Sequence, residues 1–276
     1  MKIHYDIIFL GLAKNVIKTI DKFLNSIEKL SLKNFKILLI IGENSSTDGS
    51  RNYLTKLKIK NYKFIFLETD FLKKYKNRIL RLTAGREYLK NYINENKISS
   101  DFITIVDLDE VISQGINVDQ YINAINLLKI KKNKYFGISA KSKPYYYDLL
   151  PLIIKDYFEF DIYDIQTEIN IINAYTTRKK HIYDFQKKIT NMRDVDTVSS
   201  HNGLTIYFYK DYFLGNYVNK KTKKINSEHI NLNQEINQKT NKFILMSNNL
   251  VLNTPEEHMP LNFKQFIIKF FRKFTK

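Results

Sequence analysis

Three runs of almost unbroken apolar residues, YDIIFLGLA (5–13), FKILLII (35–41) and FITIV (102–106), constrain this chain more than any other feature. Strands that are apolar on both faces belong in parallel sheets, where helices cover the two sides and leave no wet face. Between the first two runs, Val16, Ile17, Ile20, Phe23, Leu24, Ile27 and Leu30 recur at helical spacing and predict a helix over 14–31. A short helix after the loop GENSSTDGS, a fourth apolar run KFIFL (63–67) and a helix over 78–95 continue the alternation. The expected fold class is α/β, a single Rossmann-like domain with a mostly parallel central sheet flanked by helices.

Sheets of this kind bind ligands at the carboxyl ends of their strands. Two polar clusters, ENSSTDGS (43–50) and DLDE (107–110), directly follow strands and should face one crevice. An Asp-x-Asp is weak by itself: a chain with 16 Asp is expected to hold one by chance, and a second stands at Asp194 and Asp196. Position distinguishes Asp107 and Asp109, because the two-residue period at a strand end points both side chains the same way. Carboxylates so close are costly unless a cation offsets their repulsion. Cysteine is absent, which excludes thiolate zinc sites, disulfides and cysteine nucleophiles. Carboxylate oxygens suit Mg²⁺ or Mn²⁺ shared with a diphosphate, where the ion would neutralise charge developing on the leaving group. The plain alternative is an acid-rich surface turn.

Hydrophobic residues make up 43% of 276, ample for a core, and no window is apolar enough to span a membrane. The N-terminus lacks the pattern of a signal peptide, so a cytoplasmic location is expected. The excess of 45 Lys+Arg over 28 Asp+Glu calls for an anionic partner: a phosphorylated substrate, a membrane surface or nucleic acid.

After residue 112 the alternation weakens, although YFGISAK (135–141), GLTIYFY (203–209) and KFILMSNNLVLN (242–253) still read as strands. No linker marks a boundary, so 1–112 and 113–260 are read as donor-binding and acceptor-binding halves of one domain. The tail, 261–276, differs. Phe263, Phe266, Ile267, Phe270, Phe271 and Phe274 form one stripe of a helix whose other side carries Lys264, Lys269, Arg272, Lys273 and Lys276. That composition fits a helix lying on an anionic membrane, with docking on the protein's own core as the alternative.

The order of motifs resembles a family. GLAKN (11–15), ENSSTDGS, RILRLTAGREYL (78–89), KPYYYDLLPL (143–152), TVSSHNGLTIYFY (197–209) and NSEHINLN (226–233) resemble segments of GT-A glycosyltransferases of the bacterial capsule and lipopolysaccharide type, which share patterns with fungal capsule-associated mannosyltransferases. Glu87, Asn202 and Leu150-Pro151 depart from the family pattern. The resemblance implies a GT-A-like domain with an elaborated C-terminal half, which transfers a hexose from a nucleoside-diphosphate sugar to a growing surface glycan or lipid-linked acceptor. It also implies roles. Asp107 and Asp109 would hold Mn²⁺ or Mg²⁺ and the diphosphate, with His229 completing the coordination. Glu43, Asn44, Asp48 and Asn15 would contact the nucleotide, and Arg78 and Arg86 its diphosphate, with Arg81 a weaker candidate. Glu228 is the expected general base, should the reaction invert the anomeric centre. Tyr146, Tyr147, Asp148, His201 and Gly203 would line the acceptor or sugar pocket. Each of these residues also has an ordinary structural reading: solvation for the arginines, a helix cap for Asn15, core packing for the tyrosines.

Competing readings are a nucleotidyltransferase, whose glycine-rich basic loop is missing here, a catalytically inactive membrane scaffold and a basic nucleic-acid-binding protein. The last conflicts with an acidic cluster at the crevice mouth, and no nucleic acid is expected as a partner.

Overall fold

The computed structural model describes residues 3–154, 171–218 and 227–271. The first half runs β1 (Ile3–Ala13), α1 (Ile20–Ser31), β2 (Ile37–Glu43), α2 (Ser50–Thr55), β3 (Lys63–Glu68), α3 (Arg78–Glu95) and β4 (Ile98–Asp107). It continues through α4 (Val118–Ile130), β5 (Tyr135–Lys143), β6 (Ile153–Ile154), α5 (Ile171–Arg178), α6 (Asp184–Asn191), β7 (Val195–Ser199) and β8 (Leu204–Phe208). The short α7 (Tyr209–Tyr212), α8 (Glu228–Thr240), β9 (Phe243–Asn253) and α9 (Phe263–Phe271) complete it.

All these strands join one sheet in the order β3-β2-β1-β4-β8-β5-β9-β7-β6. The first four pair in parallel. Beyond β4 the sheet is mainly antiparallel, with β5 and β9 a parallel pair inside it, so the whole is mixed. Alternation along β1 sends Ile7 and Phe9 to one face, under α1 and α4 (Phe23, Ile27, Tyr121, Ile125). Ile8 and Leu10 face the other side, under α3 and α8 (Leu89, Ile93, Leu232, Ile236). Helix α4, β7 and α8 are absent from the sequence reading, although Tyr121, Ala124, Ile125 and Leu128 of α4 are buried at helical spacing.

Helix α1 begins at Ile20, six residues later than periodicity predicts. Asn15 takes a left-handed φ of 58°, and the amides that would have opened the helix are captured by the 44–50 loop. Asn15 N donates to Ser46 Oγ, Val16 N to Ser50 Oγ at 2.8 Å, and Ile17 N to Asp48 Oδ2 at 3.2 Å. Thr47 N in turn donates to Asn15 Oδ1. The apolar positions Val16 and Ile17 therefore belong to a cross-linked loop pair at the carboxyl edge of the sheet, not to a helix face.

At the far end, α9 lies against α5: Phe263 and Phe266 meet the Tyr175 ring at 5.1 and 5.4 Å. Phe266 is buried, whereas Phe263, Ile268 and Phe271 stay exposed. Tail residues 272–276, including Arg272, Lys273, Phe274 and Lys276, lie outside the described residues. No helix among the described residues is long and apolar enough to cross a membrane.

Candidate active site

The carboxyl ends of the parallel strands open into a cavity of about 470 Å³. Strand β4 delivers Asp107 to its floor, and Asp107 N is fixed by the Gly203 carbonyl at 2.9 Å. Two residues on, Asp109 accepts from Val111 N at 3.1 Å and caps a short turn.

The centre of the site is a buried ion network. From α3, Arg86 donates through Nη2 to Asp107 Oδ1 at 2.7 Å and through Nε to Glu228 Oε1 at 3.0 Å. Glu228 is the first residue of α8, where the helix dipole favours negative charge. The other Asp107 oxygen lies 3.3 Å from His201 Nε2. His201 stacks on His229 with centroids 3.8 Å apart and planes 14° from parallel. Burial pushes the Asp107 carboxyl up, but His201 and Arg86 outweigh it and hold the group well below the usual range. Burial and the Asp107 charge raise Asp109 to about 6. Asp148 rises to about 8 through burial and the neighbouring Asp107 and Glu228 charges, with Arg78 opposing. Burial, His201 and Arg86 depress His229 far below its ordinary value, which keeps the imidazole neutral.

Asn44, Arg78, Arg86, Asp107, Asp109, Tyr147, Asp148, His201, Glu228 and His229, read from all parts of the sequence, line this one cavity. Five others do not. Glu43 is fully buried, accepting from Ser46 N and Arg51 Nε, and Arg51 continues to Asp70. Asn15 and Asp48 are spent on the loop cross-links. Tyr146 packs in a separate cluster with Leu149, Ile182 and Met246. Gly203 lies behind the wall; with φ at 84°, a Cβ there would meet the Tyr147 hydroxyl and Val111 within 3 Å.

Two of the expected residues are engaged by other side chains of the protein. Arg86 is committed through Nε and Nη2 to Glu228 and Asp107. Arg78 and Arg81 also line the cavity, on the first turn of α3, and neither is ion-paired among the described residues. Glu228, expected as the base, is ion-paired with Arg86. Sequence reasoning missed Glu257 and His258, which close the rim where the His258 ring meets Tyr147 at 5.0 Å. It also missed Asn202, noted only as a departure from the family pattern. Its Oδ1 accepts from both Tyr147 N and Asp148 N at 3.2 Å and so positions that pair.

The donor set fits a divalent ion in a particular way. Both ring nitrogens of His229 are buried without a hydrogen-bond partner, as an imidazole awaiting a ligand would be. No group of three or more His, Cys, Asp or Glu among the described residues is arranged to hold a metal. Asp109 and His229 would thus hold an ion only together with oxygens of a bound diphosphate, the usual arrangement for a cation that keeps substrate phosphates in its shell.

No family model and no curated protein matches this chain by sequence. Solved structures resemble it in fold. The mannosyltransferase PcManGT from Pyrobaculum calidifontis, in complex with GDP-Man and Mn²⁺, is similar at a TM-score of 0.50 and 11% identity, over 98% of this chain and 65% of that one. S. aureus TarS 1–349 in complex with UDP-GlcNAc is similar at 0.46 and 16%, over 92% of this chain and 60% of that one. M. tuberculosis glucosyl-3-phosphoglycerate synthase gives 0.48 and 11%, over 98% and 80%. The chain thus spans less than two thirds of the first two of these proteins. Its architecture is α/β and GT-A-like, one mixed sheet flanked by helices.

Proposed function

We propose that this protein is a glycosyltransferase that takes a hexose from a nucleoside-diphosphate sugar with the help of Mn²⁺ or Mg²⁺. The observation that carries the reading is that Asp109 and His229, whose two ring nitrogens have no hydrogen-bond partner, line one cavity at the carboxyl edge of the parallel strands. A divalent ion bound there supplies charge neutralisation for the departing diphosphate.

The chain's own residues do the rest. Arg78 and Arg81, at the N-terminus of an 18-residue helix, combine guanidinium donors with a positive dipole end, a setting that suits diphosphate oxygens. Asn44, whose buried Oδ1 has no partner, offers an acceptor to the nucleoside. Arg86 and His201 keep Asp107 ionised and fixed, so the floor of the site does not reorganise when the donor arrives. Tyr147 presents an aromatic wall to a sugar ring.

The acceptor is read as a surface glycan of the capsule or lipopolysaccharide type, carried at an anionic membrane. Support comes from α9, whose Phe263, Ile268 and Phe271 are exposed beside Lys264 and Lys269. Helix α9 also begins five residues after His258 at the cavity rim, so a membrane-bound α9 would bring the opening close to lipid-linked acceptors. The first experiment is thermal shift against UDP, GDP, CDP and dTDP, with and without Mn²⁺. A metal-dependent rise with one nucleotide is expected; no shift with any of them would overturn the nucleotide-sugar reading.

A further inference from the structure

Five carboxylates line the cavity: Asp107, Asp109, Asp148, Glu228 and Glu257. Four are accounted for. Asp107 is held by Arg86 and His201, and Glu228 by Arg86. Asp109 caps the turn after β4 through Val111 N and is assigned to the ion in the glycosyltransferase reading. Glu257 stands largely exposed on the rim, 3.3 Å from His258 Nε2. Asp148 differs. Its backbone amide is pinned to Asn202, yet its carboxylate has no hydrogen-bond or ion-pair partner among the described residues. It reaches the cavity from the β5–β6 connection, in the half opposite Asn44 and α2, and it is flanked by Tyr147 and Leu150, apolar surfaces suited to an incoming sugar.

Resting on the glycosyltransferase reading, we propose that Asp148 is the general base of the transfer, and that the reaction inverts the anomeric centre. In that step the Asp148 carboxylate takes the proton of the acceptor hydroxyl. The hydroxyl oxygen bonds to the anomeric carbon from the face opposite the diphosphate. The bond from that carbon to the phosphate oxygen breaks, and its electron pair leaves with the diphosphate. The proton then passes from Asp148 to water. Burial and the surrounding Asp107 and Glu228 charges raise Asp148 to about 8, with Arg78 opposing, so the carboxylate that takes the proton becomes more populated as pH rises toward 8.

The test uses the full chain with MnCl₂ and UDP-, GDP-, CDP- and dTDP-hexoses, with water as the acceptor, so that no glycan need be known. Asp148→Asn is expected to lower kcat for donor hydrolysis about 10²- to 10⁴-fold, leaving the Kd of the matching nucleoside diphosphate within about twofold. Asp148→Glu should recover part of the rate, and proton NMR of the first-formed sugar should show the anomer opposite to that of the donor. Hydrolysis by Asp148→Asn at the wild-type rate, or a product of retained configuration, overturns the assignment while leaving glycosyl transfer standing. A wild-type chain that neither binds nor cleaves any of the four donors overturns both.

Discussion

Arg86 and Asp107 meet at 2.7 Å in a site where the arginine is almost wholly buried and its second nitrogen holds Glu228. One side chain on α3 thereby ties the end of β4 to the start of α8, elements separated by 121 residues of sequence (228 − 107). The two parts of the chain meet at the cavity floor through this guanidinium, beside the β4–β8 pairing and the Asp107–His201 contact.

Removing it should be costly. Arg86→Ala leaves Glu228 buried without its countercharge and Asp107 with His201 alone, a loss of about 3–5 kcal/mol read from the denaturant midpoint. Arg86→Lys should recover little, because one ammonium cannot reproduce the planar fork that reaches both acids. A lysine variant of wild-type stability would show that the bridge is dispensable.

The metal site should be completed by substrate. Mn²⁺ alone is expected to leave the Tm of the protein almost unchanged, because no ready-made group of three ligands exists among the described residues. Mn²⁺ with the matching nucleoside diphosphate should raise it, and Asp109→Asn or His229→Ala should abolish the metal-dependent part. Strong binding of Mn²⁺ without nucleotide, measured by calorimetry, would contradict this.

Asp148 should trade stability for function. Its ordinary value is 3.8 and the fold raises it to about 8. Between those values the folded chain holds a proton that the unfolded chain has released, so its contribution to stability falls as pH rises from about 4 to about 8. Asp148→Asn removes the charge, and its Tm is expected to exceed that of the wild type at pH 8, with the gap closing toward pH 4. Paired melts across this range provide the check.

Lys141 is a buried lysine with a structural task. Its Nζ donates to the carbonyls of Ile189, Met192 and Arg193 at 3.3, 2.6 and 3.0 Å, closing the end of α6 against β5. Lys141→Met should cost about 2 kcal/mol by leaving buried carbonyls unpaired, without changing donor affinity.

The membrane reading is testable at two exposed lysines. Lys264→Glu with Lys269→Glu should weaken binding to phosphatidylserine vesicles, each lysine contributing about 1 kcal/mol near the surface, and should leave Tm unaltered. Deleting residues 263–276 should also release the protein from vesicles. A large fall in Tm on deletion would instead make the Phe266 contact with Tyr175 the main role of the helix.

The sequence by itself determined the parallel half. Strands apolar on both faces and the helix over 78–95 are local signals, and the sheet topology then brought ten of the named residues into one cavity. What the tertiary structure decided was which of them are free. Glu43, Asn15 and Asp48 carry the residue types of a ligand site, but Arg51 and the amides of the facing loop claim them. Arg86 turns inward to two acids, while Arg81 lines the cavity with no ion pair among the described residues. Glu228 is likewise claimed by Arg86, whereas the Asp148 carboxylate has no partner among the described residues. Availability depends on which opposite charge or amide lies within about 3 Å, and those partners come from strands and helices far apart in the chain, beyond the reach of any periodicity or motif.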